Sequence, residues 1–323
     1  MVNNFSAMEL VTSCYRAFLK REPENQRVVD DRVEAYASID EVISSFIKSD
    51  EFRNNYSGES IHDYLLSNQL ENSNKIEADV APELLMEMFE RIQAGWRRLG
   101  ETEPYWSVIT SDKFKMANFD KNLEDFLSSG RASVQWFKNV ARRNGIELPK
   151  NKKCFELGCG VGRITLPLSD MFETVTGADV SKGNLQECSA LIERSGKTNI
   201  NTILLDDIQD LHTLSNFDVF YSILVLQHNP PPVQKFALKT ILKKVNPGGI
   251  AYFQIPTHIP NYSFTAEEYL KDTDDDMEMH ALPMQEVFKL LRENGFSVLE
   301  VFQDHFTGMP GSHTFFAQKN ATS

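Results

Sequence analysis

The sequence predicts an α/β protein: a seven-stranded, doubly wound sheet preceded by an all-helical extension. Three observations predict it. From Lys152 onward, short apolar runs alternate with segments of helical period. A cluster of glycines, FELGCGVGR, stands between the first run and the first helix of that series. Before about residue 150 only the helical period occurs, and no internal repeat or low-complexity tract interrupts it.

Residues 1–57 are predicted to be a small helical unit. Leu10, Val11, Cys14, Tyr15, Phe18 and Leu19 recur at helical spacing, and Pro23 and Asn25 break the helix. A second helix is expected over 26–37 and a third from Ser38 or Asp40. Residues 58–81 turn polar and rich in Asn and Ser, which suits a linker. Residues 82–151 are expected to form a helical collar: ELLMEMFERIQAGWRRLG, a break at TEPYWSVITSDKF, then NFDKNLEDFLSSG and RASVQWFKNVARRNG.

Residues 152–320 form the predicted α/β domain. Its strands are KKCFEL, ETVTGAD, NTILLD, FDVFYSIL, GIAYFQIP, FSVLEVFQD and HTFFAQK. The intervening helices include PPVQKFALKTILKKV, with proline at its start and Pro247-Gly248-Gly249 after its end. Residues 257–282 interrupt the connection after the fifth strand, and a loop of that length is more often functional than decorative.

The glycine cluster carries most of the functional reading. Gly158, Gly160 and Gly162 sit where a buried strand meets a helix, so a ligand can approach the backbone and the helix's free N–H groups. Glu156 precedes them, and the spacing is GxGxG rather than the GxGxxG of nicotinamide sites. ExGxGxG resembles motif I of class I S-adenosylmethionine-dependent methyltransferases, whose sheet is Rossmann-like. The resemblance covers the landmarks of residues 152–256 and, with the collar, about 82–320. It implies S-adenosylmethionine as cofactor and S-adenosylhomocysteine as product. It also implies that Glu156 holds the methionine amine and that the Gly158–Cys159–Gly160–Gly162–Arg163 loop faces the methionine end and ribose. Asp179, closing the second strand with Val180 after it, is where the family takes the ribose hydroxyls, and a carboxylate can accept from both. Asp207 and Ile208 stand where the family reads adenine, with Asp206 as the register alternative. Ser222 and Gln227 belong to the post-strand motif, and Tyr105 and Trp106 are either an aromatic wall over the cofactor or core packing.

A methyl group on sulfonium is already activated, so the protein must align the acceptor, exclude water and often remove a proton. His228 follows the fourth strand and is a candidate base, the alternative being a helix cap; His280 and Tyr262 in the insertion are further catalytic candidates. His258 and His313 fall near strand ends. The acidic DTDDD run is expected to be a solvated face, and no metal is assigned.

Net charge −13 disfavours nucleic acid as partner. Cys14, Cys154, Cys159 and Cys188 form no CxxC pair, the N-terminus lacks a signal-peptide pattern, and no apolar run of about 18 residues occurs, so a cytoplasmic enzyme without a membrane span is expected. Residues 1–57, through YRAFLKREP and ISSFIKSDEF, resemble a helical domain of unknown function attached to bacterial glycan-processing enzymes. That implies O-methylation of a sugar or glycan precursor, polysaccharide biosynthesis, and a protein partner or self-association through this unit. The alternatives are a small secondary-metabolite methyltransferase and a non-catalytic cofactor-binding assembly module.

Overall fold

The computed structural model describes residues 7–19, 21–35, 41–42, 45–46, 49, 51, 75–272, 277–304, 306–308 and 311–321. The chain divides into two compact units, Met1–Ser73 and Asn74–Ser323.

In the first unit, α1 (Ala7–Leu19) and α2 (Gln26–Ala35) present one apolar face each. Val11, Cys14, Tyr15, Leu19, Val29 and Phe46 form its core. Arg32 stacks its guanidinium 4.1 Å from the centre of the Phe46 ring and donates to Tyr15 Oη at 3.1 Å. Of the expected third helix, residues 41–42, 45–46 and 51 are helical, residue 49 is a bend, and the rest lies outside the described residues.

The second unit begins before the collar. Residues 58–74 of the expected linker lie outside the described residues, but residues 75–81 pack on the α/β unit rather than serving as linker. Ile76 bridges to Phe264, Glu77 Oε2 accepts from the Ala266 N–H at 2.8 Å, and Lys235 pairs with Asp79 at 2.7 Å. The collar comprises α3 (Pro82–Thr102), α4 (Pro104–Val108) and α5 (Met116–Arg143). The sequence predicts two helices where the single α5 runs through Gly130. That glycine does not end the helix; it lets the helix touch its neighbour, since a Cβ there would run into the Arg163 carbonyl.

Seven strands form one sheet in the order β3-β2-β1-β4-β5-β7-β6, with β7 antiparallel to both its neighbours. They are β1 (Lys153–Leu157), β2 (Thr174–Asp179), β3 (Ile200–Leu204), β4 (Phe217–Ser222), β5 (Val245–Pro256), β6 (Phe296–Gln303) and β7 (Ser312–Lys319). The helices α6 (Thr165–Ser169), α7 (Lys182–Ser195), α8 (Pro231–Lys244), α9 (Ala266–Lys271) and α10 (Met284–Glu293) complete the unit. Phe155, Phe220, Phe253 and Phe315 pack on one face of the sheet, and Cys154, Tyr221, Tyr252 and Phe316 on the other. Strand order reverses between β1 and β4, and the crevice at their carboxyl ends is where such sheets bind ligands. No helix among the described residues is long and apolar enough to cross a membrane.

Candidate active site

The crevice is built on the β1–α6 turn. The Gly158 and Cys159 N–H groups donate to the Ala178 carbonyl at 2.7 and 3.1 Å, tying the turn to β2. Gly160 sits at φ 53° with its N–H donating to Asp179 Oδ2 at 2.8 Å. The other Asp179 oxygen accepts from the Ser181 N–H, also at 2.8 Å. The Asp179 carboxyl is buried, which pushes its pKa up while these backbone donors pull it back. A Cβ on Gly160 would lie 2.7 Å from Val108 Cγ2, so the cradle needs a residue without one.

The resulting cavity is lined by Glu156, Gly158, Cys159, Gly160, Arg163, Asp179, Val180 and Ile208 among the residues expected from sequence. Glu156 is 3% exposed; Thr165 Oγ1 donates to its Oε2 at 2.6 Å, yet burial pushes its pKa up to about 7. Arg163 is 5% exposed and burial lowers its pKa. The Cys159 thiol lies beside Cys188, and that contact together with burial raises its pKa.

Other expected residues fall elsewhere. Gly162 does not line the cavity; a Cβ there would meet Cys188 Sγ at 2.8 Å, so it serves close packing against α7. Asp207 is not on the lining either. Its carboxylate caps the turn Ile208–Thr213, accepting from the Gln209 N–H at 2.8 Å. Asp206, the alternative, is exposed and pairs with Arg97 at 2.8 Å. Leu205 and Leu211 flank Ile208 on the wall instead. Ser222 is buried and donates to the Leu157 carbonyl at 3.2 Å, which leaves it a strand-bracing role.

Trp106 also lies off the lining, in the vicinity of Lys115. Tyr105 is buried, stacked on Phe119 and donating to Glu187 Oε2 at 2.6 Å. The aromatic wall comes from α3 instead, where Phe89, Ile92 and Trp96 share one helical face. Their spacing signalled burial in the sequence without showing that the face turns to the crevice. Leu224, with φ 65°, was missed as well: its N–H donates to Gln254 Oε1 at 2.9 Å, and it lines the cavity just after β4.

A smaller cavity shares Ile92 and Trp96 with the first and adds Arg91, His228, Tyr269 and Glu278. His228 has both ring nitrogens engaged: Nδ1 lies 3.1 Å from the Glu278 carbonyl and Nε2 3.0 Å from Gln227 Nε2. The carbonyl requires Nδ1–H as donor, so Nε2 is the acceptor. Burial lowers the pKa of His228 to about 4. Gln227 Oε1 in turn accepts from Gln254 Nε2 at 3.1 Å. His280 is buried, with Nδ1 2.8 Å from Tyr262 Oη and Nε2 3.1 Å from Glu278 Oε2, while Arg91 holds the other Glu278 oxygen at 2.7 Å. Burial pushes the Tyr262 hydroxyl well above its ordinary pKa. His313 Nδ1 lies 2.9 Å from Thr257 Oγ1, at the strand end predicted for it. Of the acidic run, residues 273–276 lie outside the described residues.

Residues 155–249 match the family described as a methyltransferase domain. The sterol 4-C-methyltransferase of Caenorhabditis elegans is 26% identical over 197 residues, which are 57% of this chain and 55% of that protein. The carboxy-S-adenosyl-L-methionine synthase of Alteromonas mediterranea is 28% identical over 202 residues, 59% of this chain and 75% of that one. The chain thus spans between about half and three quarters of these relatives' length. Phosphoethanolamine N-methyltransferase 1 from Haemonchus contortus superposes with a TM-score of 0.52 at 13% identity, covering 73% of this chain and 50% of that one, which shows the fold. The α/β unit has the Rossmann-like methyltransferase fold, and within it residues 155–249 are similar to a methyltransferase domain.

Proposed function

We propose that the chain transfers the methyl group of S-adenosylmethionine to a hydroxyl of a small polar acceptor, in the narrowest form a sugar or glycan precursor. The Tyr262–His280–Glu278–Arg91 relay, of which Glu278 and Arg91 line the smaller cavity next to the crevice, carries this reading, because hydroxyl acceptors gain from a positioned proton acceptor. The cradle fits the cofactor: a buried carboxylate at Glu156 for an ammonium, Asp179 for vicinal hydroxyls, and an apolar slot at Val180, Leu205 and Ile208 for a flat base. When bound, S-adenosylmethionine supplies a methyl group activated on sulfonium.

The chain's residues would then orient the acceptor, exclude water and take its proton. Phe89 and Trp96 line the crevice with apolar surface, which disfavours water beside the reacting groups. His280 Nε2–H donating to Glu278 leaves Nδ1 as acceptor of the Tyr262 hydroxyl proton, so Tyr262 Oη is the end of the relay that receives a proton from outside. His228 takes the supporting part, holding the Glu278 backbone in place. The sugar assignment rests on the likeness of residues 1–57 to a domain beside glycan-processing enzymes, and self-association or a protein partner is assigned to that unit on the same ground.

Mass spectrometry of glycans and metabolites from cells with and without the gene tests the acceptor; a species differing by one CH₂ is expected among hydroxylated compounds. Calorimetry tests the cofactor: S-adenosylmethionine and S-adenosylhomocysteine should bind and NAD should not. Tight NAD binding without response to either sulfur nucleotide would overturn the reading.

A further inference from the structure

A cavity of about 310 Å³ lies at the other end of the sheet and shares no lining residue with the crevice. Lys150 stands three residues before β1 and Met171 three before β2, so this cavity belongs to the amino ends of the strands. Its form follows from how α5 ends. Gly145 turns the chain at φ 69°, and the Ile146 N–H reaches back to the Ala141 carbonyl at 2.9 Å. That closure keeps residues 146–150 beside the last turns of α5, and a concave surface remains between them and the α6–β2 turn.

Ala141, Ile146, Leu148 and Met171 give the cavity an apolar lining continuous with the core. Lys138, Arg142 and Lys150 line it as well, and none of the three has an ion-pair partner among the described residues. Arg142 has a contact of 3.4 Å with Asn139 Oδ1. Asp170 is the one carboxylate on the lining, and Lys197 takes it in an ion pair. Glu147, in the same loop, is exposed and does not line the cavity. In a chain of 46 acidic and 33 basic residues, an ordinary solvated face would intersperse carboxylates among such cations. Lys138 and Arg142 stand one turn apart on α5, a spacing at which like charges repel. The helix dipole favours a cation in the last turn and so accounts for Arg142, but not for Lys138 a turn earlier or for Lys150 beyond the helix.

A concave site that joins uncompensated positive charge to apolar surface suits a ligand with both characters. A phosphate monoester carries close to two negative charges and three acceptor oxygens at neutral pH, which matches three cationic side chains better than a single carboxylate does. The volume is that of a small-molecule site, and a net charge of −13 repels an anionic bilayer, which favours an ester free in solution. We infer that this cavity binds a small soluble phosphate monoester with an apolar body. Lys138, Arg142 and Lys150 meet the phosphate, and Leu148 and Met171 meet the body. The C-terminus of α5 is the negative end of its dipole, so the side chains and not the backbone hold the anion.

Calorimetry on the full chain with hexyl phosphate, inorganic phosphate and hexanol tests this. Hexyl phosphate should bind at least about tenfold more tightly than either fragment, since burial of two methylenes alone supplies that factor. Lys138→Gln/Arg142→Gln should weaken hexyl phosphate binding about tenfold and Lys150→Gln about threefold, the range of exposed ion pairs. All three side chains are exposed, so the thermal midpoint should not fall. Affinity for inorganic phosphate or for hexanol equal to that for hexyl phosphate overturns the inference, as does binding that the variants leave untouched. Sedimentation with vesicles of equimolar phosphatidylcholine and phosphatidic acid checks the source, and none is expected. Co-sedimentation that the double variant abolishes would overturn the soluble ester in favour of a bilayer.

Discussion

Asp179 Oδ2 accepts a hydrogen bond of 2.8 Å from the Gly160 amide, so the residue proposed to hold the ribose also fixes the turn on which the cofactor lies. Asp179→Asn keeps the shape but replaces one acceptor oxygen by a donor that opposes the Gly160 or Ser181 N–H. Affinity for S-adenosylhomocysteine should fall by about 1.5–3 kcal/mol, the value of charge-assisted hydrogen bonds. Thermal stability should fall with it, because a backbone amide loses its partner. An unchanged dissociation constant in calorimetry would place the ribose elsewhere.

This double use of one side chain marks the boundary of what the sequence discloses. FELGCGVGR and the strand ending in Asp179 are legible because strand, glycine spacing and carboxylate are all local features. Trp96 was not, because a helical period shows that Phe89, Ile92 and Trp96 share a face without showing what the face meets. Asp207 sits at the expected position, but an aspartate at a turn start competes for the neighbouring amides, and here that capping takes the carboxylate away from the cavity. His228 likewise lies after β4 as expected, yet its occupied nitrogens depend on Gln227 and on Glu278, fifty residues on. Gly130 looked like a helix end because a missing Cβ serves a stop and a close contact equally well.

Glu156 should make cofactor affinity depend on pH. Its pKa is raised from 4.5 to about 7, so near pH 6 the carboxyl is largely neutral and must ionise to meet an ammonium. Affinity for S-adenosylhomocysteine should therefore rise between about pH 6 and 8, by up to roughly tenfold per unit below the pKa. Glu156→Gln should remove the part of that slope which is not common to the free ligand. The same shift bears on stability with opposite sign. A raised pKa favours the folded state below 4.5, and that gain is lost as pH rises through about 7. Unliganded Glu156→Gln should accordingly gain up to about 3 kcal/mol on wild type at pH 8. Chemical denaturation at two pH values would refute this if both variants showed the same slope.

His228 works the other way. Its pKa falls from 6.5 to about 4, so the neutral ring's contribution is complete above 6.5 and is lost as pH drops toward 4. After allowance for partial exposure the loss is about 2 kcal/mol. His228→Gln should flatten that loss and expose the opposing Glu156 trend between about pH 4.5 and 6.5. A pH–rate limb near 6.5 that disappears in this variant would contradict the supporting role and restore His228 as the base.

Removal of residues 1–73 should leave cofactor affinity unchanged, since the residues lining the crevice lie between Phe89 and Ala237. Calorimetry on the truncated chain checks it. Loss of binding in a folded truncation would make the first unit part of the site.

Gly130→Ala tests how tightly the collar is fitted to the crevice. Alanine favours a helix interior by about 1 kcal/mol over glycine, so on propensity alone the variant should be more stable. The added methyl, however, would run into the Arg163 carbonyl and lie 3.1 Å from Arg163 Cγ. The carbonyl belongs to the turn between β1 and α6 and cannot swing aside like a flexible side-chain end. Overpacking of this kind costs about 1–3 kcal/mol, which outweighs the propensity gain at most of its range. The denaturation midpoint should therefore fall, and S-adenosylmethionine affinity should fall with it as Arg163 is displaced. Ser129→Ala serves as the reference, because it removes one long hydrogen bond at the same interface without adding volume. A Gly130→Ala protein more stable than wild type, with undiminished affinity, would show that α5 is free to move away from the turn.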